Sequence, residues 1–191
     1  SANAIIINAG KNSNAGDASG GNIIISGSPN LTVGTGGLIK LFTGGISQST
    51  GLVEYIGNSS GNFRYNSDEQ TTNYTLNLTP NVVSAIYREE LNLSVSLDDK
   101  TIVYGDSAPT FTATVNGLVN GDTLGYVVAD DTINIANYNV GSRPINTAGT
   151  TDRLGYSLNY QPGVFTVNPK TVSLAVASKV YDASTDMTGY V

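Results

Sequence analysis

The sequence contains no cysteine, histidine or tryptophan. Without cysteine there can be no disulfide and no thiolate nucleophile, and without histidine there can be no Ser-His-Asp triad and no histidine-based zinc site. Charged residues make up only 13% of the chain, against about 25% in a typical soluble domain. The nine lysines and arginines are scattered and the net charge is −6, whereas binding a phosphate backbone requires clustered cations. We therefore expect no nucleic-acid partner.

Long hydrophobic runs are missing as well. No apolar segment approaches the ~20 residues that a membrane-spanning helix needs, so we expect no membrane insertion. The chain begins at Ser1 without a signal peptide, which indicates a fragment of a longer precursor. Asparagine, serine, threonine and glycine replace the missing charge, a composition typical of secreted β-rich proteins. A chain of 191 residues can bury a core without disulfides or metal.

The first third of the chain, residues 1–62, has a loose repeat of short aliphatic runs. The runs lie at 4–8, 22–26 and 38–42, with offsets of 18 (23 − 5) and 16 (39 − 23) residues. Glycine and asparagine, which tolerate positive φ, fill the intervals. This pattern is typical of a parallel β-helix, in which each coil stacks a short strand on the coil below. We predict β-helix coils here, with an ordinary Gly-rich sandwich as the alternative.

Residues 63–90 interrupt the repeat. Their apolar pattern is poor and their polar density is high. We expect a cap or connector, because the last coil of a solenoid would otherwise expose unpaired backbone groups. The segment 81–91 is the one helical candidate, since Val82, Ala85 and Ile86 could share a helix face.

A different pattern covers residues 91–169. Leu93, Val95 and Leu97 alternate with polar residues, which predicts a strand with one buried and one wet face. Turns rich in asparagine and glycine separate the later strands. Those strands are expected at 111–115, 124–128, 156–160 and 164–167. Strands at this spacing predict a compact β-sandwich.

The tail from Lys170 repeats the opening of that module. Val172 and Leu174 follow Val95 and Leu97 at the same offset of 77 residues (172 − 95 and 174 − 97). Residues 170–191 are therefore predicted to be the truncated start of a second β module. Because half a module cannot close its own core, we expect an extended strand lent to a neighbour, or poor order.

Several motifs between residues 104 and 169 resemble the MBG domain, a bacterial immunoglobulin-like module found in tandem in large surface proteins. They are Tyr104-Gly105-Asp106, Pro109-Thr110-Phe111, the run from Val115 to Leu124, Gly141, Asn159-Tyr160 and the run from Phe165 to Pro169. Lys179-Val180-Tyr181-Asp182 is similar to the opening of the YDG module, with Ala183 where that family has glycine. Residues 63–69 and 73–75 resemble the segment that precedes such modules in filamentous-haemagglutinin-like exoproteins.

The pattern and the resemblance together predict an all-β chain: the end of a right-handed parallel β-helix (solenoid), a connector, and an Ig-like/MBG β-sandwich. The resemblance implies two-partner secretion through an outer-membrane transporter and a place on the bacterial surface. It also implies a role in adhesion, aggregation or biofilm matrices. The partner would be a glycan or protein of a host or neighbouring cell, or a biofilm polysaccharide. No catalytic residues are implied.

The leading hypothesis is thus a structural or adhesive segment that acts as a stalk. The second is a module that itself binds carbohydrate or protein, and the third is a polysaccharide-active enzyme domain. Glycoside hydrolysis needs two carboxyl groups roughly 5–9 Å apart across a cleft, whereas adjacent residues on a strand point to opposite faces. Because the acidic pairs of this chain are adjacent, we predict that it is not an enzyme.

Calcium is the one cofactor left open, because it takes about six to eight oxygen ligands from carboxylates and carbonyls. The candidate ligands are Asp98, Asp99, Asp106, Asp122, Asp130 and Asp131. Five Asn-x-Ser/Thr triplets could accept a glycan, although a chain of this composition forms them by chance. They begin at Asn30, Asn58, Asn73, Asn77 and Asn92. The sandwich tyrosines are expected to be packing residues: Tyr104, Tyr126, Tyr138, Tyr156 and Tyr160.

Overall fold

The computed structural model describes residues 4–128, 132–148 and 152–174, together with Ala183. The strands in the first half are β1 (Ala4–Asn8), β2 (Leu38–Thr43), β3 (Phe63–Arg64) and β4 (Val83–Tyr87). The later strands are β5 (Asn92–Leu97), β6 (Lys100–Val103), β7 (Ala113–Asn116), β8 (Thr132–Asn134), β9 (Gly141–Ala148), β10 (Ser157–Gln161) and β11 (Gly163–Asn168). Two short helices are α1 (Leu52–Ile56) and α2 (Leu124–Val127). The described residues are thus mostly β, as predicted, and none of their helices is long and apolar enough to cross a membrane.

The first half of the chain, residues 4–90, is built on one sheet and is called here the parallel-sheet unit. Its strands lie in the order β1-β2-β4-β3, and every pairing is parallel. On β2, Ile39 and Leu41 point into the protein, while Leu38 and Lys40 are only partly buried. This alternation follows from the two-residue period of a strand.

The expected β-helix is not shown. The strands of residues 4–90 do not follow one another as stacked coils, because β4 lies between β2 and β3. The run 22–26, predicted as a coil strand, is not assigned to a strand. Its backbone makes isolated bonds instead: Ile23 N–H donates to the side-chain Oγ1 of Thr43 at the end of β2 (2.9 Å), and Ile25 N–H donates to the carbonyl of the turn residue Thr50 (2.9 Å). Ile23 and Ile25 still pack against the core.

The expected connector, residues 63–90, supplies two of the four strands of this sheet. Phe63, Tyr65, Ala85 and Tyr87 are fully buried. The helical candidate at 81–91 is wrong, because Val83–Tyr87 forms β4 between two other strands. This segment forms a strand rather than a helix because its backbone groups bond to β2 and β3 on either side.

The second half of the described chain, from residue 91 to 168, forms two facing sheets and is called here the C-terminal module. The first sheet has the order β10-β5-β7 and the second β6-β11-β9-β8. Four predicted strands are confirmed, and each of their ends agrees with the structure within two residues. They are 93–97, 111–115, 156–160 and 164–167. The predicted strand at 124–128 is wrong, since residues 124–127 form α2 and only Val128 makes a β-bridge, to Asp152.

The first and last strands of the C-terminal module run side by side. β10 pairs with β5 in parallel, and β11 pairs with β6 in parallel, both at an offset of 65 residues (157 − 92 and 165 − 100). The two segments of the chain, β5–β6 and β10–β11, therefore bend together from the first sheet into the second. The bend has no room for a side chain at Gly163, where a Cβ would lie 2.7 Å from the Leu97 carbonyl oxygen.

The described residues form two hydrophobic clusters. The first, called the shared core, joins the parallel-sheet unit to the C-terminal module. Its buried members are Leu41, Leu52, Phe63, Tyr65, Ala85, Tyr87, Leu93, Val95, Val127, Leu154 and Tyr156. The second, called the far core, lies between the two sheets of the C-terminal module and comprises Leu97, Ile145, Phe165 and Val167. One cluster thus crosses the expected boundary near residue 90.

The start of the predicted second module is described only as far as residue 174, apart from Ala183. Val172 and Leu174 are exposed and belong to no strand. The matching residues Val95 and Leu97 are buried in β5. Tyr181 and Asp182 of the YDG-like motif lie outside the described residues.

A buried joint as the candidate functional site

Two loops of the C-terminal module dock onto the end of the parallel-sheet unit. Ser59 N–H donates to the Asn120 carbonyl (2.9 Å), and Tyr65 N–H donates to the Leu154 carbonyl (2.8 Å). A third contact comes from Leu76, whose N–H donates to the Arg153 carbonyl (3.0 Å). These backbone bonds tie the two halves at three points. This contact region is called the joint.

A carboxylate between two tyrosines lies at the centre of the joint. Tyr65 donates its hydroxyl hydrogen bond to Asp122 Oδ2 (2.6 Å), and Tyr156 donates to the same oxygen (2.9 Å). The tyrosine oxygens also accept hydrogen bonds, from Asn120 Nδ2 at Tyr65 (3.1 Å) and from Val119 N–H at Tyr156 (3.2 Å). Each hydroxyl therefore both donates and accepts, which is the condition for burying it at low cost.

The pKa values of these groups reflect their burial. Burial raises the pKa of Asp122, against the lowering effect of the Tyr65 and Tyr156 hydroxyls and the Arg64 charge. It also raises the pKa of both tyrosines, and the nearby Asp122 charge adds to that shift. Asp122 Oδ1 is buried without a hydrogen-bond partner. The three side chains are at most 6% exposed, so they can hold the joint but cannot reach a substrate.

Two glycines make the close contact possible. At Gly155 a Cβ would lie 2.1 Å from the Tyr65 carbonyl oxygen, and at Gly121 it would lie 2.3 Å from Ser59 Oγ. Both have positive φ, at 102° and 72°, which favours glycine independently of space. The motif Asn120-Gly121-Asp122, predicted as a turn, is thus also the docking surface of the module.

A buried arginine supports the joint from the parallel-sheet unit. The Arg64 guanidinium donates to four carbonyl oxygens, of Gly61 (2.9 Å), Phe63 (2.7 Å), Leu76 (3.1 Å) and Asn77 (3.0 Å). Burial lowers the pKa of Arg64. This group fixes residues 61–63 and 76–77, the two segments that flank the docked loops. The burial of Arg64 and Tyr65 was not predicted, because nothing in a lone Phe-Arg-Tyr run indicates it.

A second buried arginine holds the end of β1 and the loop that follows it. Arg88 donates to the carbonyl oxygens of Ala9 (2.7 Å) and Gly21 (2.9 Å) and to Asn8 Oδ1 (3.3 Å). Burial lowers its pKa, while the charges of Glu69, Asp17 and Asp68 act to raise it.

The four calcium candidates that the structure describes form no metal-binding group. Asp98 accepts a hydrogen bond from Thr112 Oγ1, and Asp99 Oδ1 accepts one from Val164 N–H (2.7 Å) at the bend. Asp106 Oδ2 accepts from Val103 N–H (3.0 Å), and Asp122 lies in the joint. Asp130 and Asp131 lie outside the described residues. Among the residues that are described, no three carboxylates lie close enough together to hold a metal ion.

The five glycosylation candidates are all exposed. Two of them also make structural contacts: Asn73 Nδ2 donates to the Asn66 carbonyl, and the Asn77 carbonyl accepts from Arg64. Asn92 opens β5, and Asn58 lies beside Gly121 at the joint. Asn30 is the remaining candidate. Glycan attachment at these positions stays a prediction.

The sandwich tyrosines divide into two groups. Tyr156 is buried in the joint, and Tyr160 is partly buried and packs against the shared core, as expected for packing residues. Tyr104, Tyr126 and Tyr138 are 41–52% exposed, contrary to that expectation. Tyr138 nevertheless packs its ring against Phe165, with centroids 5.3 Å apart.

A comparison with protein families gives one match, which lies in the C-terminal module. Residues 93–166 match the family model described as MBG domain (YGX type). The match supports an MBG domain. This bacterial Ig-like domain occurs in surface adhesin-like proteins and is typical of extracellular surface proteins. The matched range begins inside β5 and ends inside β11, so it covers both facing sheets, and the C-terminal module is called the MBG module below. No curated protein and no solved structure matches the chain.

Proposed function

We propose that this chain is a structural segment of a large secreted bacterial surface protein, acting as a stalk or presentation module in adhesion, aggregation or a biofilm matrix. It has no catalytic role in this proposal. It is exported by two-partner secretion through an outer-membrane transporter. The surface that it serves is a glycan or protein of a host or neighbouring cell, or a biofilm polysaccharide. The MBG match supports the extracellular setting.

The parallel pairing of the first and last strands of the MBG module is the observation that carries the proposal. β5 and β6 run beside β10 and β11 in one direction, so the chain enters at one end of this ladder and leaves at the other. Tension between the two ends then loads all the ladder hydrogen bonds in shear. Bonds loaded together resist more force than bonds broken one at a time.

The joint supports the same proposal because it suppresses bending between the two halves. The backbone hydrogen bonds of the joint, the Tyr65–Asp122–Tyr156 cluster and a continuous shared core would all have to separate for the MBG module to swing. A linker of few contacts would instead permit motion. A stalk benefits from such a joint because its reach depends on stiffness.

The parallel sheet supports a solenoid origin for the first half of the chain. We propose that the unit is the terminal part of a right-handed parallel β-helix, adapted to receive the MBG module. All its pairings are parallel, and no described strand pairs with the outer edge of β1. Ile6 and Ile7 on β1 are 59% and 42% exposed. An open parallel edge with aliphatic side chains is suited to a further coil.

Single-molecule stretching of the whole chain tests the stalk proposal. Handles at Asn92 and Asn168 would load the ladder in shear, and the proposal expects a high unfolding force. The matched control places handles at Asn92 and Ser157, which are register partners at the same end of the ladder. Pulling there opens the bonds one after another, so a clearly lower force is expected. Equal forces in the two geometries would contradict the mechanical role.

A further inference from the structure

A groove lies on the face of the parallel-sheet unit that carries Leu38 and Lys40 of β2. Its volume is about 380 Å³, within the range of roughly 300–1,000 Å³ that is usual for small-molecule sites. It is lined by Gly36, Leu38, Lys40, Tyr74, Asn77, Leu78 and Pro80. Leu38 and Lys40 come from β2, and the others come from the loop before β2 and the segment that leads towards β4.

One wall of the groove is fixed by Asn81. Its N–H donates to the Gly37 carbonyl (2.8 Å), its Oδ1 accepts from Gly36 N–H (3.0 Å), and its Nδ2 donates to the Gly34 carbonyl (3.1 Å). Asn81 adopts a left-handed conformation with φ 62°, a geometry that asparagine tolerates better than most residues. The loop 34–37 is therefore held in one shape.

A second part of the lining, Tyr74 and Asn77, is fixed by Arg64. This buried guanidinium donates to the carbonyls of Leu76 and Asn77 and lies 5.5 Å from the centre of the Tyr74 ring, a cation–π distance. The ring and the Asn77 backbone are thus positioned before any ligand arrives. A wall held in this way reduces the ordering cost of binding.

The lining chemistry matches a carboxylated sugar. Tyr74 offers an aromatic ring, which packs well against the apolar C–H face of a pyranose. The exposed Asn77 can donate and accept hydrogen bonds with sugar hydroxyls. Lys40 is the only charged residue among those lining the groove, so the site is locally cationic in a protein of net charge −6. A neutral sugar would have no carboxylate to pair with the Lys40 ammonium group.

We infer that this groove binds an acidic oligosaccharide through a uronate carboxylate at Lys40 and a pyranose ring at Tyr74. The inference goes beyond the stalk proposal, because it gives the parallel-sheet unit a ligand of its own. It commits to a saccharide rather than a peptide because the groove combines one aromatic ring, one amide and one cation over a short span.

Titration of the full chain with a galacturonic acid tetramer tests the inference. Calorimetry would measure affinity, and NMR amide shifts at Gly36, Lys40 and Asn77 would locate the site. Lys40→Gln is expected to weaken binding about fivefold, as an exposed ion pair of up to about 1 kcal/mol predicts. The matched control is Lys11→Gln, an exposed lysine outside the groove, which is expected to change nothing.

The methyl ester of the same tetramer separates charge from stacking. The ester is expected to bind the native chain more weakly, and Lys40→Gln should not weaken it further. Tyr74→Ala should weaken both ligands about tenfold, whereas Tyr74→Phe keeps the ring and should retain binding. Absence of saturable binding, shifts confined to other residues, or equal losses for Lys11→Gln and Lys40→Gln would each overturn the inference. None of these results would bear on the stalk proposal, which the stretching experiment tests separately.

Discussion

The two ends of the MBG module are stabilised in different ways. At the joint, Leu93, Val95 and Tyr156 belong to a core that continues into the parallel-sheet unit. At the far end, Leu97, Ile145, Phe165 and Val167 form a small core of their own, bounded by the two sheets. The near end is therefore stabilised in part by packing against the parallel-sheet unit, whereas the far end depends on four buried side chains. An Ig-like module can thus be half integrated with the unit beside it and half independent.

Removal of the largest side chain of the far core should have the largest effect and should sharpen this contrast. Phe165 is fully buried, with its ring edge-on to Phe111 and Tyr138. Phe165→Ala should lower the free energy of unfolding by about 3–5 kcal/mol. Hydrogen exchange should accelerate in β9 and β11 while β2 and β4 stay protected.

The matched variant Leu93→Ala removes a side chain from the shared core, with an expected cost of about 2–5 kcal/mol. Its loss of protection should extend into β4, because that core belongs to both halves. If both variants expose the same strands equally, the molecule has one cooperative core and the contrast is wrong.

Removal of the central carboxylate should produce the next largest effect. Asp122→Ala leaves the buried Tyr65 and Tyr156 hydroxyls without their acceptor. Each unsatisfied group costs about 1–3 kcal/mol, so a loss of about 2–4 kcal/mol is expected after relief of the buried charge. Chemical denaturation would measure it. A double-mutant cycle with Tyr65→Phe should show strong coupling, and additive effects would argue against a connected cluster.

The pH dependence of the joint gives a smaller effect. Because burial raises the pKa of Asp122 above the ordinary value of an aspartate in the unfolded chain, the folded protein binds this proton more tightly than the unfolded chain does. The stability of the native chain relative to Asp122→Asn should be greatest below that value. It should fall as the pH rises through the raised folded pKa and then level off.

Urea unfolding of both proteins across this range provides the measurement. Exposed Glu90 provides the control, since Glu90→Gln should leave the pH profile of the native chain intact. A difference between the native chain and Asp122→Asn that rises with pH would contradict the assigned burial of the carboxylate.

Loss of a bend contact should have the smallest effect. Asp99 Oδ1 accepts a hydrogen bond from Val164 N–H where the paired strands pass between sheets. Asp99→Ala should cost about 0.5–1.5 kcal/mol, the typical net value of one hydrogen bond. The loss should appear in the exchange rates of β6 and β11 rather than at the joint. If hydrogen exchange accelerates more in β5 or β10 than in β11, the contact belongs to the half of the module nearer the joint, contrary to this prediction.

Sequence patterns predicted the elements whose burial follows a local period. Leu93, Val95 and Leu97 alternate with polar residues and are buried in β5 as expected. The same pattern failed at residues 22–26, because the backbone there bonds to the Thr43 side chain and to the Thr50 carbonyl instead of forming a strand ladder. Local periodicity indicates which side chains face inward but not which backbone lies next to them.

The joint could not be predicted because its parts lie far apart in the chain. Tyr65 and Asp122 are separated by 57 residues, and Asp122 sits in a motif that turn chemistry explains fully on its own. The role of Arg64 could not be predicted either, because its four acceptors are backbone carbonyls, which carry no sequence signal. Contacts of this kind depend on tertiary arrangement rather than on residue type.

The bent parallel pair also sets a unit of length. From Asn92 to Val103 the chain advances 12 residues, or at most about 40 Å at roughly 3.3 Å per residue. If modules of this kind are joined end to end at the 77-residue spacing seen in the sequence, each copy gained or lost alters the span of the protein by one such increment. Recombination between repeats could then adjust distance to a target surface in discrete steps without changing any contact inside a module.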